Sequence, residues 1–299
     1  MTPPVQISDL RKRYGKTVAV DGLSFEVGEG RIVGFLGPNG AGKTTTLRSL
    51  LGLIRPTSGE ALIEGRPFVE ADDPGRTVGA VLEAGAAHPG RSGRNHLRAL
   101  ALAAALPASR VDEVLEMVDL SGAAHRRVGG YSLGMKQRLG LAAALLGNPR
   151  ILVLDEPANG LDPAGMRWLR DLLRSLAGAG HSILISSHVL SEVSAIADDA
   201  VVINHGRSIV QAPISELTGG TAGGMRIAGP DAPRLAERLQ ADGASVEPAT
   251  DGAFVVHGLS GEDIGRVVAQ SGMVISELSP IARSLEDVFL ELTSGEGEQ

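Results

Sequence analysis

Residues 37–44 read Gly, Pro, Asn, Gly, Ala, Gly, Lys, Thr, directly after the apolar run 32–36 and before a stretch of helical periodicity over 44–53. Glycines at these spacings, between a buried strand and a helix, let successive backbone N–H groups turn inward around phosphate oxygens. The helix N-terminus adds partial positive charge. The polar positions then divide the chemistry between them, with Lys43 reaching the β- and γ-phosphates and the Thr44 hydroxyl able to ligate Mg²⁺. Gly37, Asn39, Gly40, Gly42 and Thr45 complete the set expected to cradle a nucleotide. A strand–loop–helix unit of this kind requires an α/β fold.

The rest of the chain fits that requirement. The buried-type runs 151–154 and 182–185, apolar but for Ser182, each follow a helical segment, as strands of a mainly parallel, covered sheet do. Segments 95–106, 110–120 and 133–146 carry apolar residues, mainly Ala, Leu and Val, at helical spacing, which predicts an inserted helical subdomain over about 86–147. Residues 218–224 are Thr, Gly, Gly, Thr, Ala, Gly, Gly, a linker composition, so a first domain is expected over 1–217. Beyond it the order strand 225–228, helix 233–241, strands 244–248 and 253–257, helix 262–270 and strand 273–278 predicts a small α+β, ferredoxin-like domain over 225–293. Its last helix, 285–292, carries Leu285, Val288, Phe289 and Leu292 on one face, and 294–299 reads as a disordered tail.

Composition narrows the partners. With a net charge of −7 and a pI near 5.5, no general attraction to nucleic acid is expected. The absence of cysteine rules out disulfides and thiolate metal sites. No apolar run approaches the roughly 20 residues that span a bilayer, so this polypeptide is not expected to cross a membrane itself.

Residues 151–157 form an apolar strand ending in Asp155, Glu156 and Pro157. Two adjacent carboxylates at a buried strand end are costly unless a cation or hydrogen bonds compensate. Asp155 is the candidate to hold Mg²⁺ through water, and Glu156 to deprotonate a water attacking the γ-phosphate.

Upstream, residues 131–138 read Tyr, Ser, Leu, Gly, Met, Lys, Gln, Arg. This segment resembles the signature sequence of the ATP-binding cassette (ABC) ATPases, with Ser132, Gly134, Gln137 and Arg138 at matching positions. The similarity extends over about 5–217 and implies a RecA-like P-loop NTPase core. By that resemblance Tyr14 stacks on adenine, Asp162 belongs to the dimer-contacting loop 159–162, and His188 contacts the γ-phosphate. Ser132 and Gly134 complete the ATP site of a second copy or a homologous ATPase subunit. The chain departs from the family pattern at Glu83, where Gln is usual at a Mg²⁺-facing position, and at Leu133 and Met135, where Gly and Gln are usual.

The resemblance implies Mg²⁺-dependent ATP hydrolysis coupled to transport through a separate transmembrane permease, with this subunit on the cytoplasmic face of the cell membrane. Glu83 and the closing segment 284–293 are similar to ATPases of drug, antibiotic and lipid exporters. A soluble ABC ATPase acting on nucleic acid or the ribosome would carry long coiled coils or a second cassette, which this chain lacks. A weakly active regulatory cassette is a further alternative, opposed by intact Lys43, Asp155, Glu156 and His188.

Overall fold

The computed structural model describes residues 2–82, 87–218, 224–249, 251–281 and 284–294. They form two compact units, divided between Ala212 and Pro213. The first unit opens with β1 (Val5–Tyr14), β2 (Thr17–Val27), β3 (Ile32–Leu36), α1 (Lys43–Leu50) and β4 (Ser58–Ile63). It continues with α2 (Pro74–Thr77), β5 (Val78–Val81), α3 (Gly93–Ala103), α4 (Ser109–Met117), α5 (Leu133–Leu145) and β6 (Ile151–Asp155). It closes with α6 (Pro163–Gly178), β7 (Ser182–Ser187), α7 (Leu190–Ser194), β8 (Asp199–Asn204) and β9 (Arg207–Pro213).

Strand order in the larger sheet is β5-β6-β7-β3-β8-β9. From β5 to β8 every pairing is parallel. Strands covered on both faces have no solvent side and so need no alternation, which is why β3, β6 and β7 are buried at every residue. A second, antiparallel sheet of order β2-β1-β4 lies over α1. The two sheets and α1 share one core, in which the rings of Phe25 and Phe35 lie 5.0 Å apart. On the other face of β3, Gly34 leaves room for Val193 of α7, since a Cβ there would come within 2.1 Å of it.

The expected helices of the inserted subdomain are α3, α4 and α5, which pack on one another. Ser92 and Ser132 cap α3 and α5 by accepting the N–H groups of Asn95 and Met135.

At the amino-terminal ends of β3 and β8 a cluster of charges ties three elements together. Asp198 accepts the Ile32 N–H at 2.9 Å and pairs with Arg174 of α6, while Arg31 pairs with Asp199. Burial raises the Asp198 pKa, but the Ile32 N–H, Arg174 and Arg31 outweigh it and hold the carboxyl below its ordinary value of 3.8. A depressed carboxylate stabilises the fold fully above that ordinary value, and the contribution fades as pH falls through the lower folded value. Asp198→Ala is therefore expected to cost about 1–3 kcal/mol at neutral pH, since it strands the Ile32 N–H. Urea unfolding at pH 7 and in acid measures this; the difference from the native chain shrinks in acid.

The second unit contains α8 (Ile214–Thr218), β10 (Met225–Ala228), α9 (Ala232–Ala241), β11 (Ser245–Pro248), β12 (Phe254–His257), α10 (Gly261–Ser271), β13 (Glu277–Pro280) and α11 (Leu285–Ser294). Its sheet has order β11-β12-β10-β13 with every pairing antiparallel, the ferredoxin-like topology. Met225, Ile227, Leu235, Leu239, Val256 and Ile264 form its core.

Two expectations are corrected here. The last strand begins at Glu277 instead of 273, because the Val274 N–H donates to the Asp231 carboxylate at 2.8 Å and so leaves the ladder. The division between units precedes the glycine-rich segment, because α8 packs against α11. Residues 219–223, 282–283 and 295–299 lie outside the described residues, and so therefore does most of the expected linker and tail.

Candidate active site

The sheet order brings the chemistry together. Because β7 lies between β3 and β6, the carboxyl ends of three neighbouring strands converge at Leu36, Ser187 and Asp155. The loop after Leu36 is shaped by close approach: a Cβ on Gly37 would come within 2.4 Å of the Ile203 carbonyl, and one on Gly42 within 2.4 Å of the Ala19 carbonyl. Gly40 and Gly42 also take positive φ, 83° and 104°.

Lys43 opens α1, is 6% exposed, and donates to the carbonyls of Gly37 (2.6 Å) and Pro38 (3.2 Å). It stands 3.6 Å from Glu156 Oε1. Burial pulls its ammonium below the ordinary lysine pKa, and the carboxylates of Glu156 and Asp155 oppose that pull. A polyanion entering the loop would meet a cation that is already desolvated, and so a strong electrostatic partner.

Thr44 Oγ1 donates to Asp155 Oδ2 at 2.8 Å. The other Asp155 oxygen accepts from the Ser186 hydroxyl, which in turn accepts the Glu156 N–H at 3.0 Å. His188 Nδ1 lies 2.8 Å from Glu156 Oε2. Glu156 itself has φ 50°, a left-handed backbone rare for a side-chain-bearing residue. Lys43, Thr44, Asp155, Glu156 and His188 thus meet in one place.

The remaining expected residues fall into two groups. Tyr14 is 47% exposed at the end of β1, with Lys12 Nζ 5.0 Å from its ring centroid, on the hairpin whose Ala19 carbonyl touches Gly42. Asn39 is exposed on the loop, and Thr45 lies in the first turn of α1. Ser132, Gly134 and Asp162 stand apart: Ser132 caps α5, Asp162 caps α6 through the Gly165 N–H at 2.8 Å, and Gly134 faces Leu161. Among the described residues no hydrogen bond or ion pair joins these three to the phosphate loop. Glu83 lies outside the described residues.

Sequence reasoning missed Ser186 and Glu192. Ser186 looks like any polar residue at the end of a strand, and only the pairing of β6 with β7 sets it opposite Asp155. Burial holds the Glu192 carboxyl above its ordinary pKa; the nearby His188 works against this and the charge of Glu156 adds to it.

Comparison with known proteins establishes the family. A family model described as ABC transporter matches residues 20–159. The bacitracin transport ATP-binding protein of Bacillus licheniformis is 36% identical over 302 residues, covering 99% of each chain. The chain belongs to the ABC transporter family. The Nod factor export ATP-binding protein of Burkholderia orbicola (strain AU 1054) is likewise 36% identical, over 98% of each chain. Among solved structures, the ATP-binding subunit of an ABC transporter superposes with a TM-score of 0.65 at 26% identity, over 71% of this chain and 91% of that one. A dimeric ATP-binding cassette bound to ADP and Pi shares the fold, with a TM-score of 0.64 at 23% identity over 70% and 98%. A second family model, described only as a domain of unknown function, matches residues 223–286 of this ABC ATPase. The protein is thus an ATP-binding, ATP-hydrolysing subunit, and the nucleic-acid and ribosome alternatives are not favoured.

Proposed function

We propose that this ABC ATPase powers an exporter by hydrolysing ATP between two cassettes, each of which grips a separate membrane permease. The meeting of Lys43, Thr44, Asp155, Glu156 and His188 carries the catalytic half of that reading. Glu156 takes a proton from the water that attacks the γ-phosphorus, while the bond to the β-phosphate breaks and Lys43 balances the charge left on ADP. His188, held by Glu156, orients the γ-phosphate.

A divalent cation fits the site. Thr44 and Asp155 offer hard oxygen donors 2.8 Å apart. The described residues contain no cluster of three or more His, Cys, Asp or Glu able to hold a metal alone. That sparse donor set suits Mg²⁺, which takes few protein ligands and shares the rest with phosphates and water. Mg²⁺ supplies charge neutralisation at the phosphoryl oxygens when bound. Glu83 is proposed as a further ligand from the sequence alone.

Dimerisation follows from Ser132 and Gly134, which form a second phosphate-suited helix terminus away from their own loop; a two-fold pair places them on the nucleotide of the other copy. The names of the bacitracin and Nod factor relatives support transport, and the latter export. No helix among the described residues is long and apolar enough to cross a membrane, and the permease in this reading is a second polypeptide. The chain sits beside it on the cytoplasmic face.

A groove of about 810 Å³ supplies the place for that grip. Its walls include Leu51 just after α1, Leu100 of α3 and Leu139 of α5, with Leu53 65% exposed at its edge. The helices α1 and α5 begin at the phosphate loop and at Ser132, so a load placed in the groove reaches both phosphate-binding ends. Leu53→Arg is expected to leave ATPase activity of the isolated chain unchanged and to abolish capture of the permease. Pull-down of solubilised membranes with the native chain and the variant checks this; equal recovery of one multi-pass membrane protein would move the docking face elsewhere.

A further inference from the structure

Gln137 lies one turn beyond Leu133 on α5 and is 7% exposed. Its Nε2 is 3.3 Å from the Asn159 carbonyl oxygen and 3.5 Å from that of Glu156. Both neighbours are acceptors, so the NH₂ end of the amide, with its two hydrogens, must face them, and it can serve both carbonyls at once. The turn it touches starts at Glu156, with φ 50°, and is closed by the Asn159 N–H donating to the Glu156 carbonyl at 3.1 Å. Leu133, at i−4 and so on the same helix face, lies against Gly160, where a Cβ would come within 2.1 Å of Leu133 Cδ2. Leu133, Gln137, Asp155, Glu156 and Gly160 line one cavity of about 400 Å³.

We infer that Gln137 is a positioning residue for the Glu156 carboxylate, holding residues 156–159 in the strained turn that aims the carboxylate at His188 and Lys43. The inference rests on the reading of Glu156 as the base. Leucine at position 133 backs the turn by filling the space beside Gly160. The same helix begins at Ser132, so the element offered to the nucleotide of a second cassette also holds the base of its own chain. A shift of α5 at one site is then felt as misalignment of the base at the other.

The test uses the full chain with its permease. Gln137→Met keeps the length and removes both donors; Gln137→Glu keeps the shape and sets carboxylate oxygens against carbonyls. Each is expected to lower single-turnover hydrolysis by about tenfold to a hundredfold, the scale of a misplaced catalytic group, with ATP affinity unchanged. In a Glu156→Gln background neither is expected to cause further loss, because the group they position is gone. Native-like turnover in both folded variants would overturn the inference, as would an equal loss in both backgrounds or a fall in affinity that matches the fall in rate. If one variant does not fold, the other is read alone by the same criteria. Full activity of Glu156→Gln by itself is a separate outcome, which would remove the base assignment on which the inference depends.

Discussion

Replacing Glu156 with Gln is expected to lower turnover by about 10²–10⁴-fold, the usual worth of a general base, while ATP still binds. The amide has the size of the carboxylate but accepts no proton from water. The phosphate cradle is built from other groups, the glycine loop and Lys43, whose carbonyl contacts to Gly37 and Pro38 do not involve position 156. Loss of the 3.6 Å contact from Lys43 to Glu156 removes a competing anion, so affinity for ATP is expected to hold or rise. Equilibrium dialysis with labelled ATP and phosphate-release kinetics separate the two quantities. Wild-type turnover in the variant would mean that another group activates the water. Binding lost together with turnover would mean that Glu156 is structural.

The second large effect concerns where a complete site is assembled. Lys43→Ala removes the charge that meets phosphate, and Ser132→Arg sets a bulky side chain on the helix terminus offered to a second cassette; each alone is expected to be inactive. Mixed dimers carry one doubly damaged site and one intact site. With random exchange, half of the dimers are mixed and each has one working site of two, so roughly a quarter of native activity returns if the sites act independently. Phosphate release from the mixture, with exchange confirmed and ATP-dependent dimer formation followed by light scattering, gives the answer. No recovery in either measurement would confine Ser132 to its observed role as the cap of α5.

The phosphate loop was legible because its glycines answer a local demand: a backbone that must approach Ile203 and Ala19 closely, with positive φ at two positions, is written in residue type. The strand ending at Asp155 was legible for a similar reason, since four consecutive apolar residues followed by two acids call for a cation or hydrogen bonds to compensate the carboxylates. Ser186 was not, because its importance comes from the pairing of two strands far apart in sequence. Gln137 matched a family position, yet what it does depends on the left-handed turn at Glu156, which no local signal announces. In the second unit the βαββαβ order could be read from periodicity. The start of its last strand could not, since Asp231 captures the Val274 N–H across a sequence gap that carries no marker.

If this chain turns over ATP in the service of a membrane partner, that partner must change the rate at which phosphate leaves. Phosphate release is therefore best measured with the native chain in lipid vesicles, with and without the membrane protein that co-purifies with it, each repeated with Glu156→Gln. The expected result is Mg²⁺-dependent release that the membrane partner accelerates and that the substitution abolishes in both settings. Release indifferent to the partner, or unchanged by the substitution, would contradict it.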